Sequence, residues 1–404
     1  MPRYRTAAEL RLMEGTPPPS ERLVTLSNWQ DPPFNRWGFQ HVRDLIPTAH
    51  IARGSGPVWR LPRAERDLDD LVFMSGRRSM TVTQMLEETA TDGFMVLHQG
   101  KIVTEQYFNG MAPDTTHLLM SVSKSVTSTI AGILIERRQL SADSLVTDVL
   151  HELRGTSFDG ATVQHLLDMR TGTRFSEDYA DLTAEVRVYE EVYLWRPRSG
   201  LPLPTDATGY FATLQNDGEH GGPFRYRSIL TDVLAWVIER AGGARLPQLI
   251  ARELWQPMGA EFDAEITVDA HGNAMADGGV CTTLRDLARF GLLFADGGMR
   301  GKRRIVPAAW IADTIAGAPD GVETFAMSAD TADRRPGAHY RNKWWVIAPQ
   351  VPAYAGLGIN GQMVFVHVPT RTVVAKFSTW KTAMDPQADR WTIDASFAIA
   401  NALG

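Results

Sequence analysis

A chain of 404 residues with 44% hydrophobic and 22% charged side chains carries enough apolar material for a large core. The formal net charge of -6 and the scatter of its Lys and Arg residues offer no basic field for collecting phosphates, which argues against a nucleic-acid binder. No stretch of about eighteen apolar residues reads as a membrane span. The N-terminus also lacks the apolar core of a secretory signal, and the single Cys281 rules out an internal disulfide or a Cys-based zinc cage. Together these features predict a cytoplasmic globular protein.

Residues 1–75 hold Pro17, Pro18, Pro19, Pro32 and Pro33 among isolated aromatics, a composition that predicts an extended arm packed on a core through Trp29, Phe34, Trp37 and Phe39. FMVLH (94–98), a Gln99-Gly100 turn and KIVTEQYF (101–108) predict a β-hairpin. SVSKSVTSTIAGILIERRQL (121–140) places Val122, Val126, Ile130, Ile133 and Leu134 at helical spacing, so a helix opened by Ser121 with one buried stripe is expected. From there to about residue 275 the pattern is mostly helical, with the best helices at 161–169 and 231–243; Pro197, Pro202 and Pro204 interrupt a polar stretch that is a lid candidate. A helix at 284–298, strands at 362–368 and 372–378 and a closing helix at 389–403 complete the chain. The expected fold class is α+β: an antiparallel sheet flanked by helices, built from 76–140 and 276–404, with 141–275 inserted as a helical domain.

Ser121-Val122-Ser123-Lys124 is an S-x-x-K pattern, and residues i and i+3 share a helix face, so the amine can approach the hydroxyl. The helix N-terminus adds donors and positive potential suited to a developing oxyanion. On this motif alone an N-capping serine is the ordinary reading. The wider context changes the weighting. LLMSVSKSVTSTIAGILIERRQLSADSLVTDVL, ATVQHLLDMRTGT, PFRYRSILTDVLAWVIERAGG and ADGGVCTTLRDLARFGLLFADGG, in that order, resemble the serine β-lactamase and penicillin-binding-protein superfamily in its class C and esterase-like branch. The resemblance to the nylon-oligomer hydrolases of that branch runs from NWQDPPFNRWGFQH near residue 28 through RNKWW and GLGINGQ to the C-terminus.

The resemblance implies a β-lactamase-like fold with Ser121 as nucleophile, Lys124 as activating amine and Tyr226, in Tyr226-Arg227-Ser228, as third catalytic partner. It places Gly356-Leu357-Gly358 where the superfamily carries a Lys-Thr-Gly triad on an edge strand, so the backbone N–H groups of Ser121 and Ile359 are the implied oxyanion hole. The missing triad lysine weakens a β-lactamase or D-amino-acid peptidase reading. Gly356 to Gly361 also spells G-x-G-x-x-G, but a strand rather than a helix follows, so no dinucleotide site is expected. Tyr179, Glu190, Trp195, Asp277 and Asn360 fall where the nylon hydrolases line their pocket, with Tyr179 at the scissile amide nitrogen and Glu190 at the amine end of the substrate. Solvated or capping acids are the competing reading of Glu190 and Asp277, and a core position that of Trp195. The function implied is hydrolysis of a small linear amide or ester through an acyl-enzyme, with no metal or cofactor, a small-molecule substrate as partner and a homodimer compatible with the sequence. A catalytically silent binding protein of the same fold is the reading from another class, and the presence of Ser121, Lys124 and Tyr226 counts against it.

Overall fold

The computed structural model describes residues 4–328 and 335–404. Its frame is a seven-stranded antiparallel sheet whose strands, in chain order, are β1 (Thr91–His98), β2 (Lys101–Tyr107), β3 (His339–Arg341), β4 (Trp344–Ala348), β5 (Ala353–Gly358), β6 (Gln362–His367) and β7 (Thr372–Ser378). Their spatial order is β3-β4-β5-β6-β7-β1-β2, so strands from the two ends of the chain meet where β7 pairs with β1, Val374 opposite Val96. The β1–β2 hairpin turns at Gln99 and Gly100, both with positive φ, the geometry that a two-residue turn between twisted strands requires.

Both faces of this sheet are covered. Met95, Leu97, Val364, Val366, Val373 and Ala375 join the larger core with the helices α1 (Val122–Glu136) and α4 (Leu284–Ala295), while Phe94, Val96, Met363, Phe365 and Val374 pack under the C-terminal helix α5 (Pro386–Leu403). Burial on both faces explains why β6 and β7 read as continuous apolar runs rather than as an alternation. α4 lies close on the sheet because Gly291 has no side chain: a Cβ there would stand 2.6 Å from Val373 and 2.8 Å from Val364.

The expected elements are found with shifted ends. α1 stops at Glu136, not residue 140, and it is buried from Val122 to Leu134 on all sides rather than along one stripe, because Ser, Thr, Ala and Gly on its other faces are small enough to be enclosed. The helix expected at 161–169 shrinks to Val163–Leu167, and that at 231–243 becomes α3 (Ile229–Gly242), ended by Gly243 in the left-handed conformation. Between them α2 (Glu185–Val192) carries Glu190.

A second, four-stranded sheet was not legible in the sequence. It orders Thr48–Ile51, Ala264–Thr267, Val280–Thr282 and His117–Leu118, drawing one strand from the N-terminal arm and one from the mostly helical stretch. The arm is therefore built in: Trp29 and Phe39 are buried, Phe34 and Trp37 are half-buried, and the Phe39 carbonyl accepts from the Leu118 amide, 2.9 Å away. Strand β5, expected at a sheet edge, lies inside the sheet between β4 and β6. A short turn over Ile359–Gly361 and then β6 follow it, so no helix begins at the G-x-G-x-x-G run. No helix among the described residues is long and apolar enough to cross a membrane.

One buried ion pair ties the arm to the frame. Arg36 donates to Asp92 at 2.7 Å and to Thr379 at 2.5 Å, and Asp92 also meets His117 at 3.2 Å, all of them buried. Removing one partner leaves a buried charge uncompensated, so Arg36→Met should cost about 3 to 5 kcal/mol. The readout is the urea midpoint, and a midpoint equal to the wild type's would contradict this role.

Candidate active site

Ser121 stands at the N-terminus of α1, reached through Met120, whose φ of +46° is a left-handed conformation that a non-glycine residue adopts only under constraint from its surroundings. The constraint is visible on both sides. The Leu119 amide is held by the Val280 carbonyl at 2.8 Å, and the end of β5 presses on the helix start. A Cβ on Gly358 would lie 2.7 Å from the Leu119 carbonyl oxygen and 3.0 Å from the Ser121 nitrogen, so only glycine lets β5 approach. Ile359 follows Gly358, and Ser121 and Ile359 both line one cavity of about 420 Å³.

Lys124, one turn along, is 1% exposed. Its Nζ donates to Ser121 Oγ at 2.8 Å and to the Asp277 carbonyl at 2.8 Å, and lies 5.2 Å from the centre of the Tyr226 ring. Tyr226 forms part of the cavity wall, with its ring stacked on Trp345 at 5.5 Å and edge-on to Tyr340 at 6.1 Å. The structure thus brings Ser121, Lys124 and Tyr226 together.

Burial works to lower the pKa of Lys124, but the negative potential of Tyr226, Asp277, Glu177 and Asp232 outweighs it, and the net direction is upward. Burial pushes Tyr226 up, against the neighbouring Lys124 cation.

The substrate residues expected from the sequence separate into two sets. Tyr179 lines the cavity, half-buried. Glu190 does not: it is buried against Arg187 at 3.0 Å and Arg196 at 2.5 Å, its charge matched twice within the fold. Trp195 is a core residue, 3% exposed, its indole N–H donated to Thr267 Oγ1 and its ring edge-on to Trp29. Asp277 is buried and not part of the cavity lining; its backbone carbonyl holds Lys124 and its carboxylate lies 3.8 Å from the same amine. Asn360, with φ of +58°, points its amide away from the cavity into the loop after β7, donating to the carbonyls of Trp380 at 3.0 Å and Thr382 at 3.3 Å.

Three residues of the site went unnoticed in the sequence. Glu177 lines the cavity and accepts from the Ser228 amide at 2.6 Å, the Ser228 hydroxyl at 2.5 Å and the Tyr179 hydroxyl at 2.9 Å. Asp232 accepts from the amides of Ala276 at 2.7 Å and Asp277 at 3.1 Å, which aims the Asp277 carbonyl at Lys124. Lys343 is a second buried amine, 1% exposed, its Nζ 3.2 Å from Met169 Sδ and its pKa pushed well down by burial and by Lys124. The only available hint was the proximity of Glu177 to Tyr179 and of Asp232 to Tyr226 in the chain. Among the described residues no group of three or more His, Cys, Asp or Glu is placed to hold a metal ion.

Known proteins share the family and the fold. The model of the Beta-lactamase family matches residues 80–398. The 6-aminohexanoate-dimer hydrolase of Paenarthrobacter ureafaciens is 37% identical over 372 residues, which cover 91% of this chain and 90% of that protein. A solved Bacillus anthracis structure, provisionally named a 6-aminohexanoate-dimer hydrolase, superimposes with a TM-score of 0.86 at 25% identity over 96% of this chain and 98% of its own. The hydrolase EstCE1, described as having promiscuous acyltransferase activity, shares the fold at a TM-score of 0.58 and 18% identity over 79% of this chain and 98% of its own.

Two outcomes follow from the geometry. Gly358→Ala should lower kcat by at least about tenfold with the fold retained in far-UV circular dichroism, since a forced shift of β5 moves Ile359 against Ser121. An unaltered kcat would show that the approach of β5 is unimportant. Because Lys124 and Tyr226 are both shifted upward, the deprotonated base is populated only as pH rises, so kcat/KM should climb from neutral into alkaline pH. A profile already flat at neutral pH would contradict those directions.

Proposed function

The chain belongs to the β-lactamase family and is a serine hydrolase, and from that premise we propose that it cleaves a small linear amide or ester through an acyl-enzyme formed on Ser121. The observation that carries this reading is the 2.8 Å hydrogen bond between Lys124 and Ser121 in the wall of a cavity that also exposes Tyr226.

In this mechanism Ser121 Oγ attacks the substrate carbonyl as its proton leaves through Lys124 and Tyr226. The oxygen that gains charge is received by the backbone N–H groups of Ser121 and Ile359. When the tetrahedral intermediate collapses, the bond to the leaving nitrogen or oxygen breaks and Tyr226 returns the proton to that atom. Water then attacks the acyl-serine by the same proton route in reverse, releasing the acid and restoring the hydroxyl. No step calls for a metal or cofactor.

The cavity suits a short chain with an apolar middle. Trp345, Ile347, Leu357, Ile359 and Trp380 form its walls, and Asp385 and Asp389 stand at the start of α5 along its border. The 6-aminohexanoate-dimer hydrolase at 37% identity supports a linear amide of this kind. A β-lactam or peptide carboxylate finds no lysine at the Gly356 position, and Lys343 is too enclosed to substitute for one.

Exposure to a fluorophosphonate should add one adduct, mapped to Ser121 by peptide mass spectrometry, and Ser121→Ala should abolish both the adduct and the hydrolysis of p-nitrophenyl butyrate and 6-aminohexanoate dimer. Lys124→Ala should lower kcat by about 10²- to 10⁴-fold. Turnover that survives in Ser121→Ala would overturn the nucleophile assignment.

A further inference from the structure

The Trp380 carbonyl takes hydrogen bonds from two buried asparagines at opposite ends of the chain, Asn35 in the N-terminal arm and Asn360 in the turn between β5 and β6, each at 3.0 Å. Both lone pairs of that oxygen are thereby used. Asn360 also holds the segment after β7 at three further points: its amide donates to the Ala383 carbonyl at 2.8 Å, its carbonyl accepts from the Trp380 amide at 3.2 Å, and its side chain donates to the Thr382 carbonyl at 3.3 Å. From the arm, Arg36 donates to Thr379 Oγ1 at 2.5 Å, and the Tyr4 ring lies 4.9 Å from Lys381 Nζ. The stretch 379–383 is gripped from two sides, and Trp380 and Ala383 within it line the cavity.

The turn that Asn360 occupies has no slack. Asn360 itself has a φ of +58°, a left-handed conformation that asparagine tolerates better than most side chains. Ahead of it, Gly358 abuts the Leu119 carbonyl and the Ser121 nitrogen; behind it, a Cβ on Gly361 would meet the Trp380 ring at 2.3 Å. Ile359 lies between Gly358 and Asn360, so the direction of its N–H is set by two fixed points. One is the backbone that carries the nucleophile, and the other is the Trp380 segment.

We propose that Asn360 and Asn35 are positioning residues that hold the Ile359 N–H in place for the developing oxyanion, which makes the N-terminal arm a working part of the catalytic centre. This rests on the reading above in which the amides of Ser121 and Ile359 receive that charge. The side-chain amide of Asn360 is spent on carbonyls of the Trp380 segment, and that of Asn35 on the Trp380 carbonyl and nothing in the cavity, so both act through the turn and not on substrate. A donor already fixed when the charge appears needs no reorganisation during the reaction, and a turn free to move loses that advantage. Asn35 reaches Ile359 only by way of Trp380 and Asn360, so its influence depends on the Asn360 clamp.

The test reads the preference for oxygen over sulfur at the attacked carbon, because a thiocarbonyl is a poor hydrogen-bond acceptor and gains little from a placed donor. kcat/KM is compared for p-nitrophenyl butyrate and the matching thionoester in the wild type, Asn360→Gly, Asn35→Ala and the double variant. Glycine takes the left-handed backbone freely, so Asn360→Gly removes the side-chain bonds alone. Outright loss of an oxyanion donor costs about 10²- to 10³-fold, and a loosened one should lower the oxygen-to-sulfur ratio by about tenfold in Asn360→Gly and about threefold in Asn35→Ala, through kcat rather than KM. The double variant should stay within about twofold of Asn360→Gly. If Asn360→Gly does not fold, Asn360→Asp keeps the shape without a donor for Trp380, and its ratio should fall likewise. A ratio within about twofold of the wild type in the Asn360 variant, a change confined to KM, or a double variant in which the two losses multiply would overturn the proposal. An Asn35→Ala ratio equal to the wild type's would remove the arm from it. The underlying reading fails separately: a wild type with no preference for oxygen has no oxyanion donors to position, whereas a strong preference that survives both substitutions sinks only the role of the asparagines.

Discussion

The Lys124 amine is enclosed by protein, and an ionised amine taken out of water loses several kcal/mol of hydration that must be recovered locally. Here the recovery comes from two hydrogen bonds, to Ser121 Oγ and to the Asp277 carbonyl, and from the potential of Tyr226, Asp277, Glu177 and Asp232. The same arrangement holds the nucleophile, the amine and the phenol within reach of one proton. Distant parts of the molecule serve it: Asp232 on α3 aims the Asp277 carbonyl, and the β5 backbone closes the other side.

The frame makes that centre stiff. A sheet packed on both faces leaves β5 little freedom, and Gly358 brings it against the helix start while Met120 absorbs the turn in a left-handed conformation. The N-terminal arm contributes from outside the stretch matched by the family model, which begins at residue 80. Asn35 donates to the Trp380 carbonyl at 3.0 Å, and Asn360 donates to the same oxygen at 3.0 Å. Trp380 lines the cavity, so the arm helps to hold a wall that substrate would touch.

The acids divide by how their charge is met. Glu190 is neutralised by Arg187 and Arg196 and reaches the cavity only through Arg187 and the Tyr179 backbone. Glu177 is satisfied by neutral donors alone and keeps a face on the cavity. The arginines that pair Glu190 are its chain neighbours, Arg187 one turn before it on α2 and Arg196 six residues on, whereas Glu177 is met by Ser228, 51 residues away, which only the fold brings to it.

The S-x-x-K spacing, the apolar runs of β1, β6 and β7 and the helical periodicity of α1, α3 and α4 were legible in the sequence because each is a local pattern set by the backbone repeat. The order of the segments that resemble the family also pointed to it, and with it to Ser121, Lys124 and Tyr226 as a group. The four-stranded second sheet, the interior place of β5 and the fates of Glu190, Trp195, Asp277 and Asn360 were decided only by tertiary structure. Two-, three- and four-residue strands carry too little pattern to announce themselves, and whether an indole faces a cavity or a partner is settled by residues far along the chain, as Trp29, 166 positions away, does for Trp195.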